Sequence, residues 1–261
     1  MTQFGFCGLS AVPVRAEASE RSEMVNQLLF GETFEIIDSI GEWKLARGSL
    51  DKYEGFINEK QILHISGPEY QRLNNAERIF PKELVSVITE KKTSHGSNIL
   101  FGSPLPGFTD GKMKVGDREY HLKGATMSQA KEIIPDELIS TAKKYLGAPY
   151  LWGGRSPFGI DCSGFTQAVF NMNGYILGRD ASYQAQQGTT LILISEAGPG
   201  DLAFFDNEEG QIIHVGMIIE NEKIIHASGQ VRIDKIDHHG IYNDELKKYT
   251  HKLRLIKRMI G

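Results

Sequence analysis

Cysteine is nearly missing from this chain: 261 residues carry two, Cys7 and Cys162. So sparse a set excludes a disulfide-stapled scaffold, and a chain of this length buries enough core not to need one. Long apolar runs are missing too, since no stretch approaches the about 18 residues of a membrane span. The opening MTQFGFCGLSAVPVRAEASE has no basic segment followed by an apolar one, so export is not written in it. Both cysteines are therefore expected to be free thiols in a reducing compartment. An excess of either charge is also lacking, with 29 Lys and Arg against 33 Asp and Glu. No basic stripe interleaved with aromatics offers a nucleic-acid surface, and the basic close KLRLIKRMIG reads as a strand with solvated neighbours. Neither a membrane nor a nucleic acid is expected as a partner.

Glycine, by contrast, is plentiful, and it punctuates the chain. Residues 1–65 read as short strands divided at Gly31, Gly41, Gly48 and Gly55, with alternation in ETFEIID and WKLAR. That is the grammar of a small barrel, with Trp43, Tyr53 and Phe56 as core or rim aromatics. Residues 66–127 begin with a polar connector, GPEYQRLNNAERIFPKE, and continue with candidate strands divided by Gly107, Gly111 and Gly116. They form either a second small barrel or an elaboration of the first.

The pattern changes in residues 128–261. From Pro135 the spacing of Leu138, Ala142 and Leu146 predicts a helix, with Asp136 and Glu137 at its positive end and Gly147 at its stop. The stretch GAPYLWGGRSPFGIDCSGF follows, and a second helix is predicted from Cys162 to about Met172, burying Phe165, Val169 and Met172. Later segments, including QIIHVGMIIENEKIIHASG, read as antiparallel strands. Helices before strands predict an α+β domain.

A thiol at a helix start lies beside unpaired backbone N–H groups and the positive end of the helix dipole, which favour thiolate. Cys162 is the candidate nucleophile. His214 sits in a strand where Ile213, Val215, Met217 and Ile219 make the better core face, leaving its own ring to face elsewhere beside Gly216. His226 lies on the next strand, past a turn near Asn221 to Lys223. A two-residue turn puts the two histidines on opposite faces, whereas a three-residue turn or a bulge restores a common one. Chemically, Cys162 as nucleophile, His214 as base and His226 as the group that orients the base make a coherent set. Tyr150 is a candidate donor to a developing oxyanion, beside the N–H of Cys162.

The strings PYLWGG, DCSGF, HVGM and HAS, in this order, resemble the NlpC/P60 family of papain-like cysteine peptidases, which cut bacterial cell-wall peptides. The resemblance implies Cys162 as nucleophile, His214 as base, His226 as third polar residue and Tyr150 beside the nucleophile, with no cofactor. Ahead of this domain, QLLFGETFEI, GEWKLAR and DKYEGFI resemble the bacterial SH3 domain. The combined expectation is an α+β chain: a papain-like catalytic domain at 128–261, preceded by one or two SH3-like barrels at 1–65 and within 66–127.

This arrangement is similar to γ-D-glutamyl-L-diamino acid endopeptidases, which prefer free stems beginning L-Ala-γ-D-Glu. Carried onto this chain, that similarity implies Asp180 as the partner of the substrate ammonium and Ser163 as a second contact. Ala181 stands where a serine often follows that aspartate, with Ser182 next in line. Tyr53 and Glu54 are candidate contributors from the barrel. The substrate implied is a murein stem peptide, L-Ala-γ-D-Glu-diamino acid, in cell-wall recycling. Competing readings are a non-catalytic wall-fragment binding protein and a zinc protein using Cys162, His214 and His226, although short C-x-x-C or H-E-x-x-H spacings are lacking.

Overall fold

The glycines and alternating strands of the first 65 residues do build a sheet. A computed structural model of the chain describes residues 3–259. They form two compact units, one of residues 1–129 and 152–157, the other of residues 130–151 and 158–261. In the first, β1 (Gln3–Phe6), β2 (Ala11–Arg15), β3 (Met24–Leu29), β4 (Thr33–Ile40), β5 (Trp43–Gly48), β6 (Glu54–Asn58) and β7 (Leu63–Ile65) pair in the order β3-β2-β6-β5-β4-β1-β7. Period-two alternation turns Val12, Val14, Phe34, Ile36 and Ile57 inward around Cys7. Burial raises the Cys7 thiol far above its ordinary value, so it stays protonated. Trp43, Tyr53 and Phe56 are all half-buried, so they form the rim of this core rather than its centre.

After α1 (Gly67–Asn75) come β8 (Arg78–Pro81), β9 (Val85–Glu90), β10 (Gly96–Leu100), β11 (Leu105–Pro106), β12 (Lys112–Val115), β13 (Arg118–Leu122) and β14 (Thr126–Ser128). They make a four-stranded sheet, β10-β9-β13-β12, and a three-stranded one, β11-β8-β14. Phe30 joins this part to the first, meeting the rings of Phe6 and Tyr120 edge-on at 5.6 and 5.5 Å. Gly31 makes the close approach possible: its φ is +93°, and a Cβ there would fall 1.7 Å from the carbonyl oxygen of Pro104. The segment that includes β15 (Arg155–Ser156) belongs to the same unit, where the Arg155 guanidinium donates to both carboxylate oxygens of buried Glu32 at 2.9 and 2.8 Å.

The second unit opens with α2 (Pro135–Lys143), which has Pro135 in its first turn with Asp136 and Glu137. It ends earlier than its apolar spacing predicts. Three 3₁₀-type bonds, from the N–H groups of Lys144, Tyr145 and Leu146, tighten the chain after Lys143 and turn Leu146 out to 45% exposure. Tyr145 takes its place on the buried stripe and meets Phe165 edge-on at 5.8 Å. After β16 (Gly159–Ile160), α3 runs Cys162–Met172 as predicted, although all eleven residues are buried rather than one face. Its polar side chains are paired accordingly: Thr166 Oγ1 donates to Gln184 Oε1 at 2.7 Å, and Gln167 Nε2 donates to the Leu177 carbonyl at 3.1 Å.

The remaining elements are α4 (Ala181–Gln184), β17 (Thr189–Leu191), β18 (Leu202–Asp206), β19 (Ile212–Glu220), β20 (Lys223–Ser228), β21 (Gln230–Asp237), β22 (Gly240–Asn243) and β23 (Lys248–Arg258). Their sheet runs β17-β23-β18-β19-β20-β21-β22, and β23 also pairs with β22, closing the strands from β18 to β23 on themselves. The long last strand manages this by serving β22 with Lys248–Lys252 and β18 with Lys252–Lys257. α3 packs against β19 and β20.

Candidate active site

Asp161 caps α3, and its carboxylate organises the end of the helix where Cys162 sits. Oδ1 accepts from the Gly164 N–H at 2.7 Å, and the Arg179 guanidinium spans both oxygens at 3.0 and 2.5 Å. Arg179 also donates to Ser163 Oγ at 3.1 Å. All three side chains are buried, so the predicted contact residue Ser163 is part of the frame that holds Cys162.

Cys162 is buried at the first helical position, and its sulfur is met by the backbone N–H groups of Val215 and Ser163. The expected thiolate is not the resting form. Burial, reinforced by the Asp161 carboxylate, outweighs those N–H groups and pushes the thiol up to about 12. A base is therefore required to take its proton.

The strand that supplies Val215 also carries His214. Ile213 is exposed, in contrast to its expected place in the core face, while Val215, Met217 and Ile219 are buried as predicted. The hairpin between β19 and β20 settles the relation of the two histidines. Ile218 pairs with Ile224 but Glu220 pairs with Lys223, so Ile219 is an extra residue and the register shifts. Gly216 then stands opposite His226, which places His214, two residues away, on the same face. Gly216 also clears the path between them, since a Cβ there would lie 2.8 Å from His226 Cβ and 2.7 Å from Ile224 Cδ1.

His214 Nε2 lies 2.9 Å from His226 Nδ1, and His226 Nε2 lies 3.0 Å from Asp234 Oδ2. A carboxylate can only accept, so His226 carries a proton on Nε2, and with no second ring proton its Nδ1 accepts from His214 Nε2–H. Neutral His214 is thereby left with an unprotonated Nδ1. Burial, then His226 and His251, hold His214 well below its ordinary value, so it rests neutral. Asp234 receives a further bond from Arg232 at 3.0 Å. Although burial acts the other way, the bonds from His226 and Arg232 hold its carboxyl below the usual range.

Tyr150 is held by its N–H on the Gly229 carbonyl at 2.9 Å. Burial, reinforced by the Asp161 carboxylate, raises its phenol, which stays protonated. Asp180 is half-buried ahead of α4, and Ser182 in its first turn is exposed. Tyr53 and Glu54 belong to the first unit, where Glu54 is paired with Arg47 at 2.6 Å.

Sequence reasoning missed Asp161, Arg179, Asp234 and His251. Asp234 had a signal: counting in twos from the turn at Gly229, with Ser228 opposite Gln230, puts it on the face of His226. His251 had none beyond its place in a basic strand. It stacks on His214 with ring centroids 4.1 Å apart and planes 23° apart. Among the described residues, His214, His226 and His251 are grouped closely enough to be considered as metal ligands. Stacked rings, however, direct their in-plane nitrogens along nearly parallel planes rather than at one ion, so His214 and His251 cannot share a metal in this arrangement.

A family model described as the NlpC/P60 family matches residues 147–253, and one described as the bacterial dipeptidyl-peptidase Sh3 domain matches residues 14–62. The gamma-D-glutamyl-L-lysine dipeptidyl-peptidase of Bacillus subtilis (strain 168) is 31% identical over 216 residues, covering 77% of this chain and 71% of that protein. Dipeptidyl-peptidase 6 of Lysinibacillus sphaericus is 27% identical over 255 residues, 88% of this chain and 91% of that protein. A crystal structure of an NlpC/P60 family protein from Bacillus cereus ATCC 10987 shares the fold, with a TM-score of 0.82 at 20% identity over 99% of this chain and all of that one. With its cysteine at the head of a buried helix and its linked histidines on the neighbouring strands, the chain belongs to the NlpC/P60 family of peptidases and carries a bacterial SH3 domain.

Proposed function

We propose that this protein is a cysteine peptidase that hydrolyses the γ-D-glutamyl-L-diamino acid bond of murein stem peptides with a free N-terminal L-Ala. The observation that carries the chemistry is the chain of bonds from Asp234 through His226 to His214, which leaves one imidazole nitrogen able to accept a proton. The substrate rests on the relatives named gamma-D-glutamyl-L-lysine dipeptidyl-peptidase in Bacillus subtilis and Bacillus cereus. Both cysteines are free thiols, which suits work on recycled stems in a reducing, cytoplasmic compartment. Among the described residues, no helix is long and apolar enough to cross a membrane.

In this mechanism Nδ1 of His214 takes the Cys162 proton as the sulfur attacks the γ-glutamyl carbonyl carbon. The oxyanion is met by the Cys162 N–H at the helix start and by the Tyr150 hydroxyl. On collapse the C–N bond breaks and imidazolium His214 gives its proton to the leaving amine. His214 then deprotonates a water that attacks the thioester, and the thiol is regenerated with that proton as L-Ala-D-Glu leaves. Asp180 is proposed to face the substrate ammonium, with Ser163 and Ser182 near it.

The test is incubation under reducing conditions with L-Ala-γ-D-Glu-L-Lys and its meso-diaminopimelate counterpart, following L-Ala-D-Glu by mass spectrometry. Release by the natural protein and none by Cys162→Ala is expected. No release from either peptide would remove the substrate, and activity retained by Cys162→Ala would remove the mechanism.

A further inference from the structure

One hydrogen bond cannot orient a ring. The contact between His214 Nε2 and His226 Nδ1 fixes a line, but the His214 imidazole can still rock about that line and carry Nδ1 out of position. His226 cannot prevent this, because its ring stands at 85° to that of His214 and offers no parallel face. The parallel face comes from β23, where the strand passes from β22 to β18.

We propose that His251 is a positioning residue for the base, its ring lying flat on His214 to stop the imidazole rocking about its bond to His226. The centroids are 4.1 Å apart with the planes inclined by 23°. The proposal rests on His214 serving as the base for Cys162.

His251 is itself fixed. Its Nδ1 lies 2.9 Å from Thr250 Oγ1, and that hydroxyl is directed at the Ile241 carbonyl at 3.4 Å, so the imidazole donates from Nδ1. Phe205, directly opposite His214 across β18 and β19, touches both rings, at 5.7 Å from His214 and 5.8 Å from His251. The stack is thus braced from a third strand.

The ring also has the right charge for this work. The ionisable groups around it include His214 on β19, His226 on β20 and Asp234 on β21, and the surface cleft that it lines also carries Asp206, Glu208, His239, Tyr249 and Lys252. Burial and then His226 hold His251 down to about 4 against the pull of Asp234. Near neutrality it presents an uncharged π face, which tolerates the imidazolium that forms on His214 during turnover. A cationic neighbour there would oppose that step.

The experiment compares His251→Phe with His251→Leu. Both fill the site, but only phenylalanine offers a flat aromatic face. The first readout is the rate of Cys162 alkylation by iodoacetamide across a pH series, assigned to Cys162 by peptide mass spectrometry. It reports on the thiol and its base without any substrate. The second is kcat and KM on the stem peptide. We expect His251→Leu to lose roughly 10- to 100-fold in neutral-pH alkylation and in kcat with KM unchanged, while His251→Phe stays close to the natural protein.

Equal behaviour of the two variants, whether both impaired or both unimpaired, would overturn the proposal. So would a loss confined to KM, or one that tracks the folded fraction in thermal melts. Failure of the substrate reading is distinguishable, because the natural protein would then leave the stem peptide intact while the alkylation rates still separated the two variants.

Discussion

Asp234 meets His226 through Nε2, the ring nitrogen opposite the one that faces His214, at 3.0 Å. The carboxylate therefore acts on His214 at one remove, by deciding where the proton on His226 sits. Asp234→Asn is expected to lower kcat by about 10²- to 10⁴-fold with KM little changed, the size seen when a base is held in the wrong tautomer. An asparagine amide can donate to Nε2, which moves the His226 proton to Nδ1 and reverses the direction of its bond with His214. Asp234→Ala, which cannot donate, should lose less. Steady-state kinetics on the two variants check this, and the opposite ranking would contradict it.

Gly216→Ala tests the close approach of the two histidine strands. The new Cβ would lie 2.7 Å from Ile224 Cδ1 and 2.8 Å from His226 Cβ, so one strand must move. Overpacking of this kind costs about 1–3 kcal/mol. A lower denaturation midpoint and a larger proportional loss of kcat are expected, because the displaced atoms include the ring that orients His214.

The buried pair of Arg179 and Asp161 should be far more sensitive than any surface ion pair. Removing the guanidinium in Arg179→Met leaves a buried carboxylate that still caps α3, an outcome that typically costs about 3–5 kcal/mol. Arg179→Lys should recover only part, because an ammonium cannot span both carboxylate oxygens and Ser163 as the guanidinium does. Chemical denaturation of both variants gives the comparison.

Acid should weaken the protein before its carboxylates titrate. Burial holds His214 well below 6.5 and His251 down to about 4. Above pH 6.5 the rings are neutral folded and unfolded, and their contribution is fully present. As pH falls through that value, the unfolded chain binds protons that the folded chain refuses, and stability is lost until the folded rings titrate. Asp234, held below 3.8, adds a further loss as pH falls through its own folded value. Denaturation midpoints should fall between about pH 7 and about pH 4, and less steeply in His251→Phe. After a discount for its partial exposure, that ring's share is on the order of 2 kcal/mol.

Helices and strands with strong local signals were legible in the sequence. α3 begins at Cys162 and ends at Met172 because Asp161 caps it and the apolar spacing stops at Asn173. Cys162, His214 and His226 were legible as residue types in ordered strings. Their mutual geometry was not, because it depends on whether the hairpin holds an odd residue, and neither side of Ile219 announces one. α2 was read too long because Leu146 continues the helical spacing, whereas burial selected Tyr145. His251 lay hidden for a different reason, since it looks like a solvated strand residue until strands distant in sequence close around it, whereas Asp234 could have been read from the register of the β20–β21 hairpin. The burial that opposes ionisation of the Cys162 thiol was not legible either, since a helix terminus is visible in a sequence and the degree of burial around it is not.

The extra residue at Ile219 has a consequence for how this hairpin tolerates change in length. Removing that one residue would leave both histidines and the turn in place, yet send the two rings to opposite sides of the sheet. Removing or adding two residues at the Asn221–Glu222 tip preserves their common side. Variants of this loop should therefore survive in steps of two, and a functional library of its lengths should show alternate sizes missing.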